Sequence, residues 1–244
     1  MDPFELRRTS FGPAAELYDA IRPSYPPEAV RWMLGEAPLR VVDLGAGTGI
    51  FSRLVASFGH DVVAVEPDSG MRARLLAASP GVTPLAGSAE AVPLPDASVD
   101  AVVAAQAYHW FDNDAARLEI TRLLKPRGVF APIWNVRDES VDWVAELSTA
   151  AMLEGDGTTS QEYKEPEYEF GPLFLPAERA EFRHSTTHTT ESLLELIHSR
   201  SLYLIADEAH RAQMDAGVRA VTRELPPTFE LPYVAVAYRA ISAV

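Results

Sequence analysis

The sequence predicts an α/β protein with a doubly wound, mostly parallel sheet of seven strands, helices on both faces and a short N-terminal helical cap. Three observations carry this. Between Leu39 and Trp134, short apolar runs alternate with segments of helical period. The runs are nearly continuous in valine and alanine, as strands buried on both faces are. A turn with three glycines in five residues follows the first of them, where an open parallel sheet binds its ligand.

Taken in order, a helix around Pro13 to Ile21 and another from Pro26 to Gly35 come first, the latter opened by proline and closed by glycine. There follow a strand (RVVDLG), a helix (IFSRLVASFG), a strand (DVVAVEP), a helix (SGMRARLLAAS), a short strand (VTPLAG), a strand (VDAVVAAQA), a helix (NDAARLEITRLLK) and a strand (GVFAPIW). After Asn135 come an amphipathic helix (SVDWVAELSTAAML) and a polar, acidic stretch from Glu154 to Glu169 that reads as a loop or lid. The tail offers a strand (AEFRHSTTHT), two helices (ESLLELIHSRSLYLI and EAHRAQMDAGVRAVTREL) and a terminal strand (FELPYVAVAYRAI) that extends the sheet. The expected organisation is one domain over 1–244: a cap to residue 38, a cofactor-binding core over 39–135, and substrate-side helices, lid and final strands over 136–244.

Composition narrows the chemistry. The chain has 244 residues and no cysteine, which excludes a thiol nucleophile, an iron-sulfur cluster and a thiolate zinc site, and suits a cytoplasmic protein. Thirty-five acidic against 21 basic residues give a net charge of -14, which repels nucleic acid and anionic membranes. No secretory h-region and no apolar run of spanning length is present.

The loop of Gly45, Ala46, Gly47, Thr48 and Gly49 lets the backbone turn tightly and brings amides to a ligand. Its spacing is one residue short of the dinucleotide fingerprint. Glu66, which ends the next strand, suits the two ribose hydroxyls of an adenosine, so NAD and S-adenosylmethionine both remain open at this stage, as does a tight turn without a ligand. None of the eight tyrosines has a lysine four residues on, which weakens a short-chain dehydrogenase reading.

Four stretches together resemble the class I S-adenosylmethionine-dependent methyltransferases, whose core is Rossmann-like: Asp43-Leu-Gly-Ala-Gly-Thr-Gly49; Val-Ala-Val-Glu-Pro-Asp68; Gly87-Ser-Ala-Glu90 ahead of Leu-Pro-Asp-Ala-Ser-Val-Asp100; and Leu-Lys-Pro-Arg-Gly128. The resemblance is clearest from Val41 to Asn135. It is closest to the small-molecule branch that includes ubiquinone-biosynthesis and trans-aconitate methyltransferases. Tyr18-x-x-x-Arg22-Pro-x-Tyr25-Pro and Tyr108-His109-Trp110-Phe111 are similar to patterns of that branch.

The resemblance implies a site. Asp43, Gly45, Ala46, Gly47 and Gly49 would surround the methionine part of S-adenosylmethionine, and Glu66 would take the ribose. Pro67 and Met71 would lie beside the adenine, with Ser88 and Ala89 at its edge and Glu90 as a hydrogen-bond partner. Gln106 and Ala107 would sit under the sulfonium, and Tyr18 and Arg22 would close over the cofactor carboxylate. Tyr25, His109, Trp110, Trp134 and Asn135 would face a small-molecule acceptor. His109 is the expected base or substrate contact, against the plainer possibility that it only packs at a helix start. Trp134 and Asn135 are expected to end the fifth strand.

His184 and His188, four apart on a strand, read as polar strand or pocket wall, without the acidic partner a metal site needs. Methyl transfer is an in-line displacement that does not require a base. A protein that binds the cofactor without transferring the methyl group is therefore the competing expectation.

Overall fold

The computed structural model describes residues 15–152 and 169–244, so the stretch read as a lid falls, up to residue 168, outside the described residues. Among the described residues the elements are α1 (Ala15–Ile21), α2 (Pro27–Leu34), β1 (Arg40–Leu44), α3 (Ile50–Ser57), β2 (Asp61–Val65), α4 (Ser69–Ala78), β3 (Thr83–Leu85), β4 (Val99–Ala105), a 3-10 turn (Tyr108–Trp110), α5 (Asn113–Leu123), β5 (Leu124–Arg137), α6 (Asp142–Ala150), β6 (Glu178–His188), α7 (Thr190–His198), α8 (Ser201–Ile205), α9 (Glu208–Thr222) and β7 (Phe229–Ile241).

The strands form one seven-stranded sheet in the order β3-β2-β1-β4-β5-β7-β6. The first five pair in parallel, with Asp43 of β1 opposite Ala64 of β2 and Val103 of β4. Beyond β5 the direction reverses. The Ser242 amide donates to Gly128 and the Asp138 amide to Pro232, so partner numbers fall along β7 as they rise along β5. Arg179 meets Tyr238, His184 meets Tyr233 and Thr187 meets Glu230, which makes β6 antiparallel to β7.

Consecutive residues such as Val41 and Val42, or Val102 and Val103, are all fully buried, so both faces of the central strands are covered. Local chemistry starts the helices as the sequence suggests. Asp68 caps α4 by accepting from the Met71 amide, Asp112 caps α5, Asp207 caps α9, and Thr189 with Ser192 forms a capping box on α7.

Two compact units divide the chain. One comprises Ser24–Trp134, Glu165–Phe182 and Ala235–Val244, and holds the glycine turn. Its core packs Ala29, Val30 and Met33 of α2, Phe51 and Val55 of α3 and Leu75 of α4 onto Val41, Ala64, Val103 and Ile133. The other comprises Met1–Pro23, Asn135–Lys164 and Arg183–Val234. Its core joins Val144 and Leu147 of α6, Leu193 and Ile197 of α7, Met214 and Val218 of α9 and Leu231 and Tyr233 of β7, with Ile21 of α1 against it. There α9 meets α6 so closely that a β-carbon on Gly217 would stand 1.9 Å from the Ala150 carbonyl oxygen.

Three local readings change. Helices α1 and α2, expected as one cap, fall in different units, and α2 is an integral part of its unit's core. The segment ESLLELIHSRSLYLI is two helices, because Arg200 is extended (ψ 145°) and restarts the chain as the N-cap of α8. Strand β5 runs on to Arg137, so Trp134 and Asn135 lie within it, both buried, instead of ending it.

Candidate cofactor site

The glycine turn is fastened to the neighbouring strand. The Gly45 and Ala46 amides both donate to the Val65 carbonyl, at 2.9 and 3.1 Å. Gly45, Gly47 and Gly49 all have positive φ. At Gly45 a side chain is excluded twice over: φ is +67°, and a β-carbon would lie 2.8 Å from that of Ala107. Gly47, at φ +57°, faces open space.

Beside it, Glu66 accepts from the Gly47 amide through Oε2 and from the Asp68 amide through Oε1, each at 2.9 Å. Burial pushes the Glu66 carboxyl above its ordinary range, and these two amides pull it back. A carboxylate has about four lone-pair positions, so each oxygen retains room for one further donor.

Asp43 is wholly buried between Ala64 and Val103. Its Oδ2 accepts from the Ser52 hydroxyl at 2.5 Å, while its Oδ1 is sealed from water without a hydrogen-bond partner. Burial pushes its pKa up to about 7, against the Ser52 hydrogen bond and with a smaller push from the Glu66 charge. The Thr48 hydroxyl in the same turn is also buried without a partner. Buried orphan acceptors of this kind mark a place for a donor group.

A second wall runs from Gly87 to Phe111. Ser88 and Ala91 exchange main-chain hydrogen bonds, Ala89 is buried, and Glu90 accepts from the Asp112 amide at 3.1 Å. Arg122 of α5 clamps this loop with Nη1 on the Leu94 carbonyl and Asp96, Nη2 on the Val92 carbonyl, and Nε on Glu119. A cleft of about 470 Å³ opens there, lined by Ala86, Glu90, Ala91, Val92, Pro93 and Glu119. Met71, at the start of α4, is buried, and the Pro67 carbonyl accepts from Arg72 at 2.6 Å.

At the end of β4, Gln106 sits at φ +52°, a left-handed conformation that a non-glycine residue adopts at a cost. Its amide holds it to the Ile133 carbonyl at 2.9 Å. Ala107 then presses on Gly45, and the 3-10 turn brings His109 to Trp134, whose indole Nε1 donates to His109 Nδ1 at 3.2 Å. An indole nitrogen only donates, so Nδ1 is the acceptor and the proton of the neutral ring is on Nε2. Trp110 is half-buried with its ring 4.8 Å from that of His109.

The other expected residues are held as follows. Tyr25 belongs to the apolar core, edge-on to Phe51 at 4.9 Å. Tyr18, Arg22 and Asn135 belong to the other unit. There Arg22 lies over the Tyr18 ring at 4.6 Å and donates to the Ser199 carbonyl at 2.9 Å, and Asn135 pairs with His184. Ser52 and Arg122 were not singled out as site residues from sequence. A serine in the first turn of α3 and the Glu119/Arg122 spacing of i to i+3 were the available signals. Among the described residues, no group of three His, Cys, Asp or Glu is placed to hold a metal, and no helix is long and apolar enough to cross a membrane.

A fastened glycine turn, an acid directly after the second strand and a clamped loop after the third make up a candidate site for a nucleoside-type cofactor. Comparison with known proteins makes it specific. A family model described as a methyltransferase domain matches residues 42–131. An uncharacterized methyltransferase of Mycobacterium tuberculosis is 39% identical over 240 residues, 96% of either chain. An uncharacterized methyltransferase of Schizosaccharomyces pombe is 34% identical over 215 residues, 84% of this chain and 86% of that one. A solved structure from Anaeromyxobacter dehalogenans, proposed as a type II methyltransferase, superposes with a TM-score of 0.66 at 28% identity, over 91% of this chain and 97% of that one. The chain belongs to the class I S-adenosylmethionine-dependent methyltransferases.

Proposed function

We propose that the protein transfers the methyl group of S-adenosylmethionine to a small-molecule acceptor. The observation that carries the donor half is the cradle at the ends of β1 and β2: Glu66 fastened to two amides with lone pairs to spare, Gly47 open beside it, and a buried Asp43 oxygen without a donor. The net charge of -14 supports a small acceptor over nucleic acid.

S-adenosylmethionine supplies an electrophilic methyl carbon on a positively charged sulfur. The chain's own residues bind and orient it. Glu66 accepts the ribose hydroxyls, and Asp43 Oδ1 accepts a donor of the methionine part, which Gly45, Ala46, Gly47 and Gly49 admit by having little or no side chain. Pro67, Met71, Ser88, Ala89 and Glu90 border the adenine, and Gln106 and Ala107 border the sulfonium. His109, with its proton on Nε2, serves as a hydrogen-bond donor to the acceptor beside Trp110. Trp134 supports it from below.

Titration calorimetry with S-adenosylhomocysteine tests this reading. Wild-type protein is expected to bind, and Glu66→Ala to bind roughly 100-fold more weakly, since losing hydrogen bonds to a charged group costs about 3 kcal/mol. Absence of binding by the wild type, or unchanged affinity in Glu66→Ala, overturns it. A metabolite panel with isotopically labelled methyl donor then identifies the acceptor.

A further inference from the structure

The carboxyl of Asp43 and the hydroxyl of Ser52 form a pair that lies wholly within the unit holding the glycine turn. Ser52 is the third residue of α3, is fully buried, and donates through Oγ to Asp43 Oδ2 at 2.5 Å. So short a contact is typical of a hydroxyl on a charged oxygen. Oδ1, by contrast, is sealed without a partner, as is the Thr48 hydroxyl oxygen in the same turn. A bare carboxylate charge in that state is costly, and a buried carboxyl escapes the cost by keeping its proton. The neighbours do nothing to offset it. Strand β2 sets Ala64 and β4 sets Val103 beside Asp43, and Glu66, directly after β2, adds a repelling charge. Arg53, next along α3, has its Nη1 on the Thr48 carbonyl and the Ser79 hydroxyl. Among the described residues, no cation pairs with Asp43.

We infer that Ser52 is a positioning residue for the cofactor, and that the Asp43–Ser52 pair gives up a proton when the ammonium group of the methionine part binds. The inference rests on the donor reading for the identity of the ligand, and adds to it a role for Ser52 and a coupling of binding to protons. In the step assigned to the pair, the hydrogen of the Asp43 carboxyl passes to solvent and its electron pair stays on the carboxylate oxygen. The ligand's positive charge takes the place of the proton. Ser52 keeps its hydroxyl hydrogen on Oδ2 and favours the charged form, so the proton leaves at a lower pH than it would from Asp43 alone. Affinity for the cationic group therefore climbs with pH and levels off once Asp43 is ionised, above about pH 7.

Titration calorimetry with S-adenosylhomocysteine across this pH range, in buffers of different ionisation enthalpy, measures both the affinity and the protons released. Wild-type protein is expected to lose up to about tenfold in affinity per pH unit below the plateau. At pH 7 it should release roughly half a proton more than Asp43→Asn, which has none to give there. Ser52→Ala should bind roughly tenfold more weakly than wild type at acid pH, the worth of a hydrogen bond to a charged group, with a gap that narrows as pH rises. Ser52→Thr retains the hydroxyl and should follow the wild-type profile. A serine that only packs α3 would weaken binding by one factor at every pH. That outcome, or a wild-type proton release equal to that of Asp43→Asn, overturns the inference and leaves the donor reading standing. Absence of binding by the wild type overturns both.

Discussion

In the unit with the glycine turn, several side chains of the cradle are tied to main chain close by in sequence, although Asp43 takes the Ser52 hydroxyl and His109 the Trp134 indole. Glu66 holds the Gly47 and Asp68 amides, Asp68 holds Met71, and Asp112 caps the helix it precedes. In the other unit they are tied to one another across strands and helices. Asn135 holds His184, Arg137 holds Ser148, Arg183 meets Asp138, and Ser185 and Thr187 share Glu230. A site held by local main-chain bonds accepts few residues at each position and so acquires a recognisable pattern. A site held by side-chain pairs far apart in sequence can exchange both partners, and its specificity can change while the fold stays.

Substitutions that intrude on a tight approach in each unit break this comparison most directly. Gly45→Val combines a left-handed backbone, at about 1–2 kcal/mol, with overpacking against Ala107, at about 1–3 kcal/mol more. Gly217→Ala sets a methyl group against the Ala150 backbone of α6, which cannot swing aside as a side chain would. Both should lower the denaturant midpoint markedly, and an unchanged midpoint in either would show that the backbone there relaxes without penalty. Only the first carries a direct effect on S-adenosylhomocysteine binding.

Next in size is the pH dependence set by Asp43. Its folded pKa, about 7, lies above its ordinary 3.8, so its contribution to stability is complete below about pH 4 and is lost as pH rises through 7. At ~1.4 kcal/mol per pH unit the full swing is at most about 4 kcal/mol. Asp43→Asn removes it, so the stability of the variant relative to wild type should climb between pH 4 and 7 and then level off. His60, His184 and His188 are shifted down by burial and lose stability as pH falls below their ordinary range, in the opposite sense. They are common to both proteins and cancel in the difference. Chemical denaturation across this pH range decides the matter, and a flat difference would mean that Asp43 titrates normally.

The smallest effect sharpens the comparison of His109 with His184. Trp134→Phe removes the donor to His109 Nδ1 and should cost about 1 kcal/mol, the worth of one neutral hydrogen bond. In nitrogen NMR it should release His109 from its single tautomer and leave His184 unchanged.

Most of the strands and the helix starts were legible because each depends on a few adjacent residues. Valine runs buried on both faces give β1, β2 and β4, and Asp68, Asp112, Thr189 and Asp207 cap the helices they precede. The shape of the glycine turn was legible for the same reason, since Gly45, Gly47 and Glu66 are joined through main-chain amides within some twenty residues. Errors arose where long-range packing outweighed local pattern. β5 gained residues by pairing with β7, and Arg200 interrupted a continuous amphipathic pattern.

The sequence by itself determined the class of fold, because turn geometry and strand burial are local consequences of residue type, and it pointed to the family and the methyl donor through the resemblance of its ordered motifs. Only the tertiary structure decided that Ser52 and Arg122 support the cradle, which nitrogen of His109 carries the hydrogen, and that His184 meets Asn135. Those outcomes depend on partners brought together by sheet order, 25 residues away for His109 and 49 for His184, and the proton follows the partner.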